Sequence, residues 1–489
     1  MKDLLAYVEQ RVAALDGHPL FSWLASDETP LKERLMILPS VATVALGFRD
    51  VNKWVLRYPH AADDLERGIN VHTFEDQTHS RLFLEDWRRL GLDRRLGWDA
   101  SDTLWWLFQA ETNEVIRGHC MYFLSIAAAD RGDPLLRFAH AQVGELCARD
   151  LFFTHISAVA SRLSDRTGLT MRYFGAHHIE AEGEGAEGVF ESLVLDDGRR
   201  RRARELADVM VGVFGEILDG IHAYALRHVA TGLPPHPPAA PRPAEPTGGV
   251  TPTTGPVHPT QKPLHHLLHE RRARHAAHPF HTWLGHRGGR ISALQALQRF
   301  LPLWAIDVMG YRDLNRYAIG YAEPASAPER AVNAWADELT ARNALFLNDW
   351  KQLGLDELLG WNAGDTLEFY YLSRTMDIHR HHRVTTTQLA TAHSDPMLRL
   401  WLTGAMAAAA DVLLDSTRPL AVEAEAATGL RLDYLAGRRQ VAAPHFTHDP
   451  VTPDQRDMAA EIIETVFDFM DRQLDLSLDV ALSNDFRIP

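Results

Sequence analysis

A chain of 489 residues with 65 acidic against 50 basic side chains carries a net charge of −15, which argues against the broad basic face that nucleic acid requires. Its 46% hydrophobic and 24% charged content is that of a globular protein long enough for two or more cores. Two cysteines, Cys120 and Cys147, rule out a disulfide framework and suit a reducing compartment.

The opening residues have no apolar core of signal-peptide type, and no run reaches about 18 apolar residues, so the sequence predicts a cytoplasmic chain with no membrane partner. Apolar residues recur every three or four positions from Thr29 to Arg57, as two helices meeting near Pro39. A further helix is expected from about Leu65 to Leu90. Ser101-Asp102 is placed to cap another, and the aromatic run Trp105, Trp106 and Phe108 within it reads as core or pocket wall. Helices follow over about Glu111–Ala129, Pro134–Ala148, His155–Asp165 and Arg200–Arg227, the last behind Asp196-Asp197 and a solvated basic run. No convincing alternation of strand type occurs. Seven to nine helices in about 215 residues read as an all-α bundle.

That bundle occurs twice. His18-Pro-Leu-Phe-Ser-Trp-Leu24 recurs as His278-Pro-Phe-His-Thr-Trp-Leu284. Gly47-Phe-Arg-Asp-Val-Asn52 recurs as Gly310-Tyr-Arg-Asp-Leu-Asn315, with the Arg-Asp pairs read as packing features. Asp86-Trp87, Asp133-Pro134 and Thr167-Gly-Leu169 recur as Asp349-Trp350, Asp395-Pro396 and Thr428-Gly-Leu430. The offset stays near 260 residues throughout, which marks an internal duplication. The expected division is a first domain over 1–230, a Pro/Gly/Thr-rich linker over 231–263 and a second domain over 264–489. The histidines gathered near the linker (His258, His265, His266, His269, His275, His278) and at His379, His381 and His382 read as solvated surface.

Candidate chemistry lies in the first copy. On a continuous helix His72, Glu75, Asp76 and His79 fall at relative positions 0, 3, 4 and 7, on one face. Glu145 is an acid in a small, apolar segment. His178 and Glu182 would sit one turn apart if Tyr173–Glu182 is helical. Carboxylates and imidazoles brought together from several helices suit non-haem iron or manganese. The second copy has Trp335, Leu339 and Arg342 at the places of His72, Asp76 and His79. It has an alanine run, Ala407–Ala410, at Glu145, and Arg439 and Ala443 at His178 and Glu182. Glu338 alone matches Glu75. Packing motifs persist while the candidate ligands change together.

These residues give the chain a resemblance to the haem-oxygenase-like diiron oxidases and oxygenases, the iron-containing redox enzymes. The resemblance rests on the His-Pro-Leu opening, the acid/His helix near Phe83, the internal helix Glu and the late His-x-x-x-Glu. That family's last motif continues with a His where Gly185 stands here, and its first-helix acid stands where this chain has His72. The resemblance implies two tandem haem-oxygenase-like helical bundles forming an intrachain pseudo-dimer. It implies one or two non-haem Fe ions held by Glu75, Asp76, His79, Glu145, His178 and Glu182, with His72 as a replacement ligand. O₂ would be the co-substrate, and a small organic molecule of amino acid, amine or fatty acid type the substrate. The alternatives are a non-catalytic duplicated scaffold that binds a small molecule or partner, and a cofactor-free or haem-handling enzyme on the same fold.

Overall fold

Asp133 and Asp395 open two helices in the same way. Each carboxylate accepts a backbone N–H two residues on, from Leu135 at 3.0 Å and from Met397 at 2.8 Å, and proline follows it at the first helical position. The computed structural model describes residues 2–129, 132–175, 194–232, 234–237, 257–287, 291–437 and 449–483. Among these every regular element is helical, so the protein is all-α.

The helices follow the apolar periodicity, with differences at their ends. Leu31–Arg34 leads through a 3₁₀ turn into Leu38–Val51, so the junction near Pro39 lies just ahead of it. Asp99 caps the Ala100–Phe108 helix by accepting the N–H of Asp102 at 2.9 Å, so that helix starts earlier than Ser101-Asp102 predicts. Trp106 and Phe108 are buried in it. Asp196 caps Asp197–Tyr224, which carries the basic run at its start.

The single helix expected from Leu65 to Leu90 is two helices, Asp64–Asp76 and His79–Leu90. The break falls at Gln77-Thr78. There the N–H of Thr78 bonds back only three residues to Glu75 at 3.1 Å, and the Thr78 hydroxyl donates to the same carbonyl at 2.8 Å. A side chain competing for a helix carbonyl is a local alternative to the helical ladder. The matching stretch of the second half also breaks, between Ala327–Asn343 and Phe346–Gln352.

Matched positions of the two halves make the same bonds. Asn70 and Tyr58 exchange two amide bonds at 2.7 and 2.8 Å, as Asn333 and Tyr321 do at 2.8 and 2.7 Å. His18 accepts the N–H of Leu20 at 3.1 Å and His278 that of Phe280 at 3.2 Å, and each imidazole meets an aspartate, Asp219 or Asp475, at 3.1 Å. Buried Arg117 donates to the Ala110 carbonyl at 2.6 Å, and buried Arg380 donates to that of Ser373 at 3.2 Å. Gly168 and Gly429, with φ of 74° and 75°, end the Thr154–Thr167 and Pro396–Thr428 helices in the left-handed region that glycine enters without strain.

The chain divides into two compact units. The first consists of Met1–Trp98, Gln109–His236 and Asn362–Leu372, and the second of Asp99–Phe108, Pro237–Trp361 and Ser373–Pro489. Each thus takes in a short segment from the other half of the sequence. In the first unit Asp93 accepts the Trp87 indole N–H at 2.7 Å and the Gly364 N–H at 2.8 Å. In the second Asp356 accepts the Trp350 indole at 2.8 Å and the Ser101 N–H at 2.9 Å.

Among the described residues three helical stretches, Leu31–Leu56, Asp197–Val229 and Pro396–Thr428, are long and apolar enough to cross a membrane, and 72%, 50% and 72% of their apolar parts are buried inside the protein.

Candidate functional site

The continuous register of positions 0, 3, 4 and 7 is lost at Gln77-Thr78. His72 is half-buried and Glu75 exposed on Asp64–Asp76, whereas His79 opens the next helix and is 9% exposed. Asp76 ends the first of these helices, and its side chain lies outside the description. Glu145 closes Pro134–Glu145 and pairs with Arg149 at 3.3 Å. His178, Glu182 and Gly185 lie outside the described residues, as do Arg439 and Ala443. Among the described residues no group of three or more His, Cys, Asp or Glu side chains is placed to hold a metal ion.

The second unit holds a pocket at the corresponding place. Its empty space, counted together with the open solvent at its mouth, is about 740 Å³. Ala327–Asn343 lines it with Trp335, Leu339, Arg342 and Asn343, a stripe at helical spacing. The first three stand where the first half has His72, Asp76 and His79. Pro396–Thr428 adds Ala407, Ala410 and Asp411, and Ala407 stands at the place of Glu145. Small side chains on this helix leave the space open. Ala293–Leu314 supplies Trp304, Asp307, Val308 and Tyr311, and Tyr434 and Met470 complete the wall.

Charge in this mostly apolar pocket is specific. The Arg342 guanidinium sits over the Tyr434 ring, 5.0 Å from its centroid. Burial raises the Asp411 carboxyl above its ordinary range, opposed by the attraction of Arg342. Asp307 is 3% exposed, and its Oδ2 shares a short hydrogen bond with His379 Nδ1 and accepts from Gln473 Nε2 at 3.2 Å. The same amide lies 3.2 Å from His382 Nδ1, and burial pushes the pKa of His382 down to about 4, so this imidazole is neutral at pH 7. Burial and the nearby Asp307 carboxylate hold the Tyr311 hydroxyl well above the usual phenol range. Among the described residues Asp307 Oδ1 and both side-chain atoms of Asn343 are buried without a hydrogen-bond partner. So are His379 Nε2, His382 Nε2 and Gln473 Oε1.

The surface reading of several histidines is corrected here. His379 and His382 are fully buried, His275 is buried against Asp471 at 2.5 Å, and His278 caps Pro279–Gly285. The reason is amphipathic: His379 and His382 lie three apart on the buried face of Asp377–Ala392 with Val384 and Thr386. Asp307 carried its own sequence signal, a lone acid inside the apolar run Phe300–Met309.

No protein-family model matches the chain, and no curated protein matches it.

Proposed function

We propose that the chain is a tandem pair of haem-oxygenase-like bundles whose second unit binds a small organic molecule in the pocket beside Asp307. One observation carries this reading. The helix faces that hold carboxylates and imidazoles in the first half line an apolar pocket with paired charges in the second. A buried concave site with a few fixed polar groups is the usual form of a small-molecule site. The pocket keeps buried polar atoms unpaired at Asp307 and Asn343, and each such group costs on the order of 1–3 kcal/mol until a ligand or water meets it. Binding of the neutral, apolar dye Nile red tests the reading. The dye is expected to bind with enhanced fluorescence at one molecule per chain, and Ala407→Trp or Ala410→Leu, which fill the space, should remove the binding. A dye signal unchanged in both variants would defeat the proposal.

A second reading places O₂-dependent non-haem iron oxidase or oxygenase chemistry in the first half. The buried His79 favours it, at the place of pocket-lining Arg342. Its test is metal binding by the whole chain: anaerobic Fe(II) should bind, and His79→Ala with His178→Ala should abolish it. Absence of bound iron in the unaltered protein ends this reading.

A further inference from the structure

We propose that the ligand of the second unit's pocket is an organic cation, a protonated nitrogen on an apolar or aromatic body, taken by the Asp307 oxygen that accepts no hydrogen bond. The inference rests on the pocket being a binding site and adds the chemistry of its ligand.

Three observations carry it. The first is the spare acceptor. Asp307 Oδ2 is occupied by His379 and Gln473, while Oδ1, 3.9 Å from His382 Nδ1, is buried without a hydrogen-bond partner on a residue that lines the pocket. A carboxylate oxygen accepts only, so a partner must bring an N–H or O–H, and a cationic donor makes the stronger bond. His379 and Gln473 hold the carboxylate in one orientation, so little ordering is left for the ligand to bear.

The second is the wall. Trp304, Tyr311, Trp335 and Tyr434 all line the pocket that Asp307 lines. Aromatic rings attract cations through their negative faces and repel anions there.

The third is the balance of fixed charge. Two carboxylates, Asp307 and Asp411, share the pocket with one guanidinium, Arg342. Arg342 already lies over Tyr434 and interacts with Asp411. An anionic ligand would have to compete with Asp411 for Arg342 and would bring like charge near Asp307. A cation meets a carboxylate whose second oxygen accepts no hydrogen bond from the protein. Asn343, with both amide atoms unpaired and buried on the same wall, offers a further donor and acceptor for a polar substituent.

The test uses three probes with one apolar body: naphthylethylamine, naphthylethanol and naphthylpropionate. Each is titrated into the full-length protein by calorimetry at neutral pH and also competed against Nile red. The ammonium is expected to bind about tenfold or more tighter than the alcohol, the worth of one charge-assisted hydrogen bond, with the carboxylate weakest. Asp307→Asn should bring the amine and the alcohol to within about twofold of each other, because the amide no longer offers an anionic acceptor. Asp415→Asn, an acid paired with Arg272 outside the lining, should keep the full preference. Equal binding of the three, or tightest binding of the carboxylate, overturns the cation assignment while Nile red binding leaves the pocket standing. Failure of Nile red and of all three probes removes both. The three-probe comparison needs no variant, so it decides the matter even if Asp307→Asn does not fold.

Discussion

Asp349 accepts the backbone N–H of Leu435 at 2.8 Å, across 86 residues of chain. The matching Asp86 accepts the N–H groups of Arg172, Tyr173 and Phe174 at 2.5, 2.9 and 2.9 Å. Each acid of the Asp-Trp motif is thus a buried anchor for the segment after a long helix.

This anchor sets a pH dependence. Burial pushes the pKa of Asp349 up to about 7, against the pull of the backbone donors. Its ordinary value is 3.8, so between about 4 and about 7 the folded state holds a proton that the unfolded state releases. The contribution of this group is therefore largest in acid and is lost as pH rises through 7. Asp349→Asn, which stays neutral, should gain melting temperature relative to the parent by a few degrees between pH 4 and pH 7.5. Calorimetric scans of both proteins across that range check this. A difference that stays flat with pH would contradict it.

His140 gives the opposite slope in the first unit. Its ring is fully buried, edge-on to Phe123 with 6.4 Å between centroids, and burial pushes its pKa down to about 4. The unfolded chain binds a proton near 6.5 that the folded chain refuses, so stability falls as pH drops from 6.5 towards 4. Urea titrations at pH 7 and pH 4.5 should show a smaller acid loss in His140→Leu than in the parent.

Arg117 is a buried cation donating to the Ala110 carbonyl, and Arg380 repeats the role at Ser373. Arg117→Ala removes the cationic donor to that carbonyl, leaving it only the Asn113 N–H at 3.1 Å, and opens a void. The expected cost is roughly 3 kcal/mol, from a lost hydrogen bond to a charged donor and the lost packing of a long side chain. Arg117→Lys keeps the charge but not the planar fork, and should recover only part of it. Chemical denaturation midpoints at constant slope give both values.

Asp356→Ala removes the acceptor of both the Trp350 indole and the Ser101 N–H. A loss of roughly 2 kcal/mol is expected, since two donors on buried residues lose their acceptor. Asp93→Ala should cost a similar amount through Trp87 and Gly364. Chemical denaturation of each variant against the parent checks both values.

The helical class was legible because apolar spacing is local information. So were the repeats, since Asp-Trp, Asp-Pro and Thr-Gly-Leu each carry a bond that recurs. The break at Gln77-Thr78 was not legible, because no proline or glycine marks it and a threonine hydroxyl makes it. The pocket was hidden for another reason. Comparison of the copies singles out the helix faces that line it, but the side chains that stand out there are those that titrate or ligate. Trp335, Leu339 and Ala407 carry no such signal, and an empty space is written in the smallness of alanines on a neighbouring helix. Asp307, His379 and Gln473 come together from three helices across 166 residues, a proximity that only the fold reveals.

Residues 362–372 complete the first unit and 99–108 the second, so neither half of the sequence contains all of its own core. Severing the chain within 238–256 would leave two fragments that each lack a wall and carry a spare one. Such fragments should behave as a complementing pair. Expressed alone each would be poorly folded, and mixed they would restore the parent's melting transition, whereas two self-sufficient domains would each melt on their own.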